Sequence, residues 1–190
     1  MSGLSVPDQS RYTAVAIILH WMIALGILIL IVMGLVMDHV ALPPLRLFQL
    51  YQLHKSIGIT VLLAIVLRLL WRLTHKPPAL PKSMPPFERG AAEWVHGLLY
   101  GLQLILPISG WALVSASILG IPTVLYGVLP WPHLPILSTL GDKAPAEATL
   151  KLLHHWSAWA LLAIIVLHAG AALRHHFILH DRILQRMLPR

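Results

Sequence analysis

Cysteine is absent from the 190-residue chain, so disulfides, thiolate metal sites and iron–sulfur clusters are excluded and any cofactor must be held by other ligands. Charge is nearly as scarce, with only 11% of residues charged and 7 acidic side chains against 14 basic ones. That is too little polar surface for an ordinary water-soluble domain. No internal repeat or low-complexity tract is visible.

Hydrocarbon fills the chain instead: 57% of residues are hydrophobic and the mean hydropathy is +0.76. Four apolar stretches, residues 14–37, 52–73, 94–119 and 150–173, each approach or exceed the roughly 20 residues that a helix needs to cross a bilayer. The expected fold class is therefore all-α integral membrane, a four-transmembrane-helix bundle making one membrane domain over residues 1–190. The first stretch is too long for the apolar part of a secretory signal, has no small-residue cleavage site behind it and contains His20, so it reads as a retained span.

Basic residues set the expected orientation, because Lys and Arg accumulate in short cytoplasmic loops. With both termini inside, nine basic residues (Arg11, Arg72, Lys76, Lys82, Arg89, Arg174, Arg182, Arg186, Arg190) face the cytoplasm, against Arg46, Lys55, Lys143 and Lys151 outside. The net charge of +7 is then mostly topology and attraction to anionic lipid, and nucleic acid is not an expected partner. Pro and Gly clusters break the chain between spans. The loop around "GIPTVLYGVLPWPHLPILSTLGDKAPAEA" is apolar and tryptophan-bearing, so it is expected to lie in the interface over the bundle. Pro107 inside the third span removes a backbone donor and should kink that helix.

Histidine carries the chemistry. His154 and His168 are fourteen residues apart, and at about 100° and 1.5 Å per residue they share a helix face, offset by roughly 40° and about 21 Å apart in depth. His155 lies about 140° from His168 and is the poorer candidate. Helix direction then places His54 level with His154 near the outer side, and His20 level with His168 near the inner side. Two facing imidazoles at each level suit a six-coordinate haem iron, whose other four positions porphyrin fills, and neutral imidazoles add no charge to the membrane. The expectation is two haems, the outer iron on His54 and His154 and the inner on His20 and His168.

Gly26, Gly34, Gly58, Gly97, Gly101 and Gly170 could let a flat macrocycle approach backbone, or could serve close helix packing. Arg68, fourteen residues after His54, falls at the inner level, where it could pair with a haem propionate or snorkel to the surface. His96 could bond that propionate or line a cavity beside it. His39, His75 and His133 are expected in loops, and His175, His176 and His180 follow the last span.

The chain resembles the bacterial cytochrome b561 family of the inner membrane over essentially its full length, in the stretches "ILHWMIALGILILIVMGL", "QLHKSIGITVLLAIVLRLLWRLTHKPP", "VHGLLYGLQLILPISGWALVSAS" and "LLHHWSAWALLAIIVLHAGAALRHHFILHDRILQRMLP". The resemblance puts the family's haem ligands on His20, His54, His154 and His168. The outer loop reads "LYGVLP" where family members often carry a Phe-Gly-Leu motif. The resemblance implies a superoxide:quinone oxidoreductase, taking electrons from superoxide outside and passing them to ubiquinone at the cytoplasmic side. On that reading Lys55, Lys143, Lys151 and Arg46 would draw in the anion, or simply flank helix ends. Arg174, His175 and His176 would contact quinone or deliver protons. Two rivals remain: a non-enzymatic electron carrier serving a redox partner, and a histidine-based metal or proton transporter, for which two levels about 21 Å apart without an intramembrane carboxylate make a poor relay.

Overall fold

The computed structural model describes residues 11–80 and 84–189, so Lys82 and Arg190 of the basic count lie outside the described residues. Four helices are long and apolar enough to cross a membrane: α1 (Ala14–His39), α2 (Pro44–Thr74), α3 (Pro86–Ser115) and α5 (Ala144–Phe177). Between α3 and α5 lie a hairpin of β1 (Thr123–Leu125) and β2 (Leu129–Trp131) and the short α4 (Pro135–Ser138). A 3-10 turn, Leu184–Arg186, follows α5.

The helix starts follow from local chemistry. Thr13 caps α1, its Oγ1 accepting the Ala16 amide at 3.3 Å, which satisfies a donor that the helix cannot. Every later helix has proline in its first two positions, where the missing N–H costs nothing. The helices also run beyond the apolar stretches at several ends. The exception is α3, which stops at Ser115, before the expected end of its span. Ser115 itself is buried, donating to the Trp111 carbonyl and accepting the Leu134 amide, so the chain turns there into the loop. Pro107 lies inside α3.

Helix α1 packs on α2, α3 on α5, and the two pairs meet chiefly through α2 and α3. Ile23, Ile27, Val61, Ile65, Leu99 and Leu161 form the buried core between them. Leu161, fully buried, stands midway between His154 and His168, so an apolar plug separates the two ends of the bundle. We call these the loop end, which carries the hairpin, and the terminus end.

Gly26 serves close packing. A Cβ there would fall 2.6 Å from Val61 Cγ2, and Val61 is buried and stiff at its branched carbon. Gly26→Ala should therefore overpack the α1–α2 contact and cost about 1–3 kcal/mol, read as a lowered thermal midpoint of the purified protein.

The loop is not wholly irregular. At the hairpin turn Tyr126 and Gly127 both have positive φ, 52° and 73°, which is unusual for a tyrosine. It is held by α2: the Tyr126 amide donates to Ser56 Oγ at 2.9 Å, and its hydroxyl pairs with Thr60 Oγ1 at 2.7 Å. With Thr123 and Leu125 buried, the hairpin lies over the loop end against α2.

Candidate functional site

Both pairs of histidines meet across the bundle. His54 of α2 faces His154 of α5 at the loop end, with ring centroids 6.4 Å apart and planes at 76°. His20 of α1 faces His168 of α5 at the terminus end with the same separation and angle. Each ring is part-buried, whereas His155 is exposed beside Trp156 and Trp159. Helical rotation causes this split: the adjacent position turns about 100° away from the bundle.

The spacing can be tested against metal ligation. An imidazole nitrogen sits about 2 Å from an ion that it ligates, and roughly 1 Å in front of its ring centre, so rings clamping one ion stand about 6 Å apart. Both pairs meet that demand. A cavity of about 520 Å³ lies beside the loop-end pair, lined by residues of all four long helices, His54 and His154 among them. That volume is in the range of a cofactor site. Gly34 and Gly58 line it, and a Cβ on either would meet nothing within 4 Å. Its body is apolar, with Ile27, Leu30 and Leu161, and its mouth carries Asp38, His39, Tyr51, Lys151 and His155.

His154 is oriented from behind. Its Nδ1 lies 3.0 Å from the Leu106 carbonyl and 3.2 Å from Ser109 Oγ, itself a donor to Leu106 at 2.9 Å. A carbonyl accepts only, so Nδ1 carries the proton and Nε2 keeps its lone pair for a metal. His54 Nδ1 is buried with no partner among the described residues, while the His54 side chain lines the cavity. The residues present fit a haem at this level.

Gly110 is the site residue that sequence reasoning missed. A Cβ there would fall 2.9 Å from His154 Cε1 and 3.2 Å from Nδ1. Its distance of 44 positions from His154 left no local signal; it lies one turn after Leu106, whose carbonyl accepts from His154 Nδ1. Gly97, Gly101 and Gly170 face open space.

At the terminus end His96 comes within 5.5 Å of His168, ring centre to ring centre. Arg68 is close enough to act electrostatically on His20, His96 and His168. The polar residues after the last span are tied to one another: Arg174 Nη1 donates to Glu88 Oε1 at 3.3 Å, and His175 Nδ1 pairs with Asp181 Oδ2 at 2.5 Å, its Nε2 standing 4.0 Å from Glu88 Oε2. His175 and Arg174 still belong to α5, and His176 packs edge-on against Phe177.

Among the expected steering lysines, Lys55 donates to the Pro122 carbonyl at 3.3 Å, Lys151 lines the cavity mouth and Lys143 precedes α5. Arg46 lies in the first turn of α2. One loop assignment needs correction. His39 is the last residue of α1 and lines the cavity mouth, because the helix runs past the apolar stretch that hydropathy marks. His75 lies just beyond α2 as expected, as its C-cap, with its ring stacked on Trp71.

The sequence model described as "Prokaryotic cytochrome b561" matches residues 11–190. Relatives include "Cytochrome b561 homolog 2" of Escherichia coli (strain K12), 34% identical over 99% of this chain and 95% of its own length. "Probable superoxide oxidase CybB" of Yersinia pestis is 32% identical over 96% of this chain and 98% of its own length. "Cytochrome b561 homolog 1" of Escherichia coli (strain K12) is 31% identical over 72% and 73%.

Proposed function

Because the chain belongs to the prokaryotic cytochrome b561 family of haem-bearing membrane electron carriers, we propose that it is a superoxide:ubiquinone oxidoreductase of the inner membrane, with two haems b and both termini in the cytoplasm. One observation carries the reading: two crosswise histidine pairs of equal spacing at opposite ends of one bundle. A relative named as a probable superoxide oxidase supports the choice of donor.

His54 and His154 would hold one haem and His20 and His168 the other, with Arg68 and His96 facing the carboxylates of the second. Bound haem supplies one-electron iron chemistry at each level. The protein's own contribution is placement. The α5 rod sets the two levels about 21 Å apart, the Leu106 carbonyl fixes the His154 tautomer, and the apolar plug around Leu161 keeps water from the space between.

At the loop end, two superoxide anions in turn would each give up one electron and leave as dioxygen, supplying the two electrons that quinone takes up at the other end. Lys55, Lys143 and Lys151 give that end a positive field that raises the local concentration of an anion. At the terminus end, ubiquinone takes up two electrons and two protons to become quinol. His175, held between Asp181 and Glu88, is placed to relay protons from water to the quinone. Arg174 and His176 border the same surface.

Stopped-flow mixing of the purified protein with superoxide tests this. The expected result is fast haem reduction, followed in the presence of a soluble quinone by reoxidation and quinol formation by the chain alone. Haem reduction with no quinone turnover, or a strict need for a partner protein, would leave an electron carrier and reject the enzyme. A preparation without b-type absorption bands would reject both in favour of a transporter.

A further inference from the structure

A second, smaller pocket of about 50 Å³ lies at the terminus end, between the start of α1, the last turns of α2 and Tyr100 of α3. Arg11, Arg68, Arg72 and Lys76 line it with His75, and among the described residues no acidic one does. Arg68 and Arg72 hold their guanidinium carbons 5.9 and 5.2 Å from the centroid of a single ring, that of Tyr100. A ring quadrupole offsets only part of the repulsion between two such charges. Arg72 also donates to the Tyr100 hydroxyl at 3.3 Å, and Arg11 to the Leu188 carbonyl at 2.8 Å. Arg68 and Lys76 make no hydrogen bond or ion pair with any described residue. With Arg68 set aside for a haem carboxylate, Arg11, Arg72 and Lys76 remain gathered without a counter-charge among the described residues.

The walls are prearranged. Trp71 Nε1 donates to Thr13 Oγ1 at 2.9 Å, tying α2 to the start of α1, and the His75 ring stacks on Trp71 at 3.8 Å. Tyr12 also lines the pocket; burial raises its pKa against the pull of Arg72 and Arg68, so it stays an O–H donor. The pocket sits where α1 begins and α2 ends, which in a spanning bundle is headgroup depth. Basic pockets between helices at that depth select lipid phosphates, and guanidinium forks match the oxyanion geometry.

We propose that this pocket binds a phosphate oxyanion, that of an anionic phospholipid headgroup in the leaflet at the terminus end. The inference needs only a spanning bundle and does not rest on superoxide or quinone chemistry.

The test uses the haem-loaded full chain, delipidated in a neutral detergent, with its thermal midpoint followed as lipid is added. Cardiolipin and phosphatidylglycerol should raise the midpoint by several degrees while phosphatidylcholine does not. Arg72→Gln combined with Lys76→Gln should remove at least half of that shift, and Arg11→Gln alone should weaken the apparent lipid affinity several-fold at unchanged haem content. Equal shifts by all lipids would overturn the proposal. So would an inorganic phosphate titration that reproduces the full shift, which assigns the pocket to a soluble anion. Loss of haem absorbance from the Arg11→Gln variant would overturn it too, because the cations would then serve the haem.

Discussion

His54→Ala and His154→Ala, alone or together, should each leave about half of the bound haem, whereas His54→Ala combined with His168→Ala should leave almost none. The reason is the geometry of the two pairs. Each ring stands 6.4 Å from one partner on another helix, so on the proposed ligation each substitution would remove one of two ligands at one level and leave the other level untouched. An Ala in place of His also leaves the facing imidazole alone in an apolar cavity, with no second nitrogen to hold the ion. The measurement is the haem-to-protein ratio by pyridine haemochrome assay, with circular dichroism to establish that the helices remain. The combinations within and across levels decide the matter. If His54→Ala with His20→Ala retained half of the haem, those two residues would serve one site and the pairing would be wrong.

The second large effect is expected from a residue with no chemistry of its own. Gly110→Ala should displace the His154 ring and reduce loop-end haem several-fold, and Gly110→Val should abolish it, with the terminus-end haem intact. The added Cβ at 2.9 Å from Cε1 is closer than carbon atoms can pack, and the ring cannot swing aside freely because its Nδ1 is fixed on Leu106 from the same helix. Ala at a helical position costs nothing in propensity, so the fold should survive. Haem stoichiometry checks the outcome, and the low-spin electron paramagnetic resonance signal reports any change in the angle between the axial rings. Full occupancy with an unaltered signal in Gly110→Val would show that His154 is not held as described.

Much of the architecture was legible because it is local. Hydropathy over about 20 residues identifies a span wherever it occurs, and four such stretches yielded four long helices. The same holds for the two histidines of α5: a fixed rotation per residue places His154 and His168 on one face and turns His155 away, whatever surrounds the helix. The structure then brings each of the two beside a histidine of another helix. Helix ends were less legible. His39 lies past the apolar run yet inside α1, because a helix continues while its backbone bonds are satisfied, and hydropathy does not report that.

The remainder depends on contacts between distant parts of the chain. That Gly110 backs His154, that Gly26 meets Val61, and that Glu88 ties Arg174 are consequences of how helices rotate and slide against each other. No period within one segment encodes them. The "LYGVLP" turn is a further case. Its glycine is a local signal, but the left-handed Tyr126 is held only by Ser56 and Thr60 on α2.

By itself, then, the sequence determined a cysteine-free, four-span membrane protein with an imidazole near each end of its last helix, because length, hydropathy and helical period are properties of single segments. Only the tertiary structure decided which imidazoles face one another, which glycine makes room for them and which arginines crowd one tyrosine, because those depend on the packing of side chains far apart in the chain.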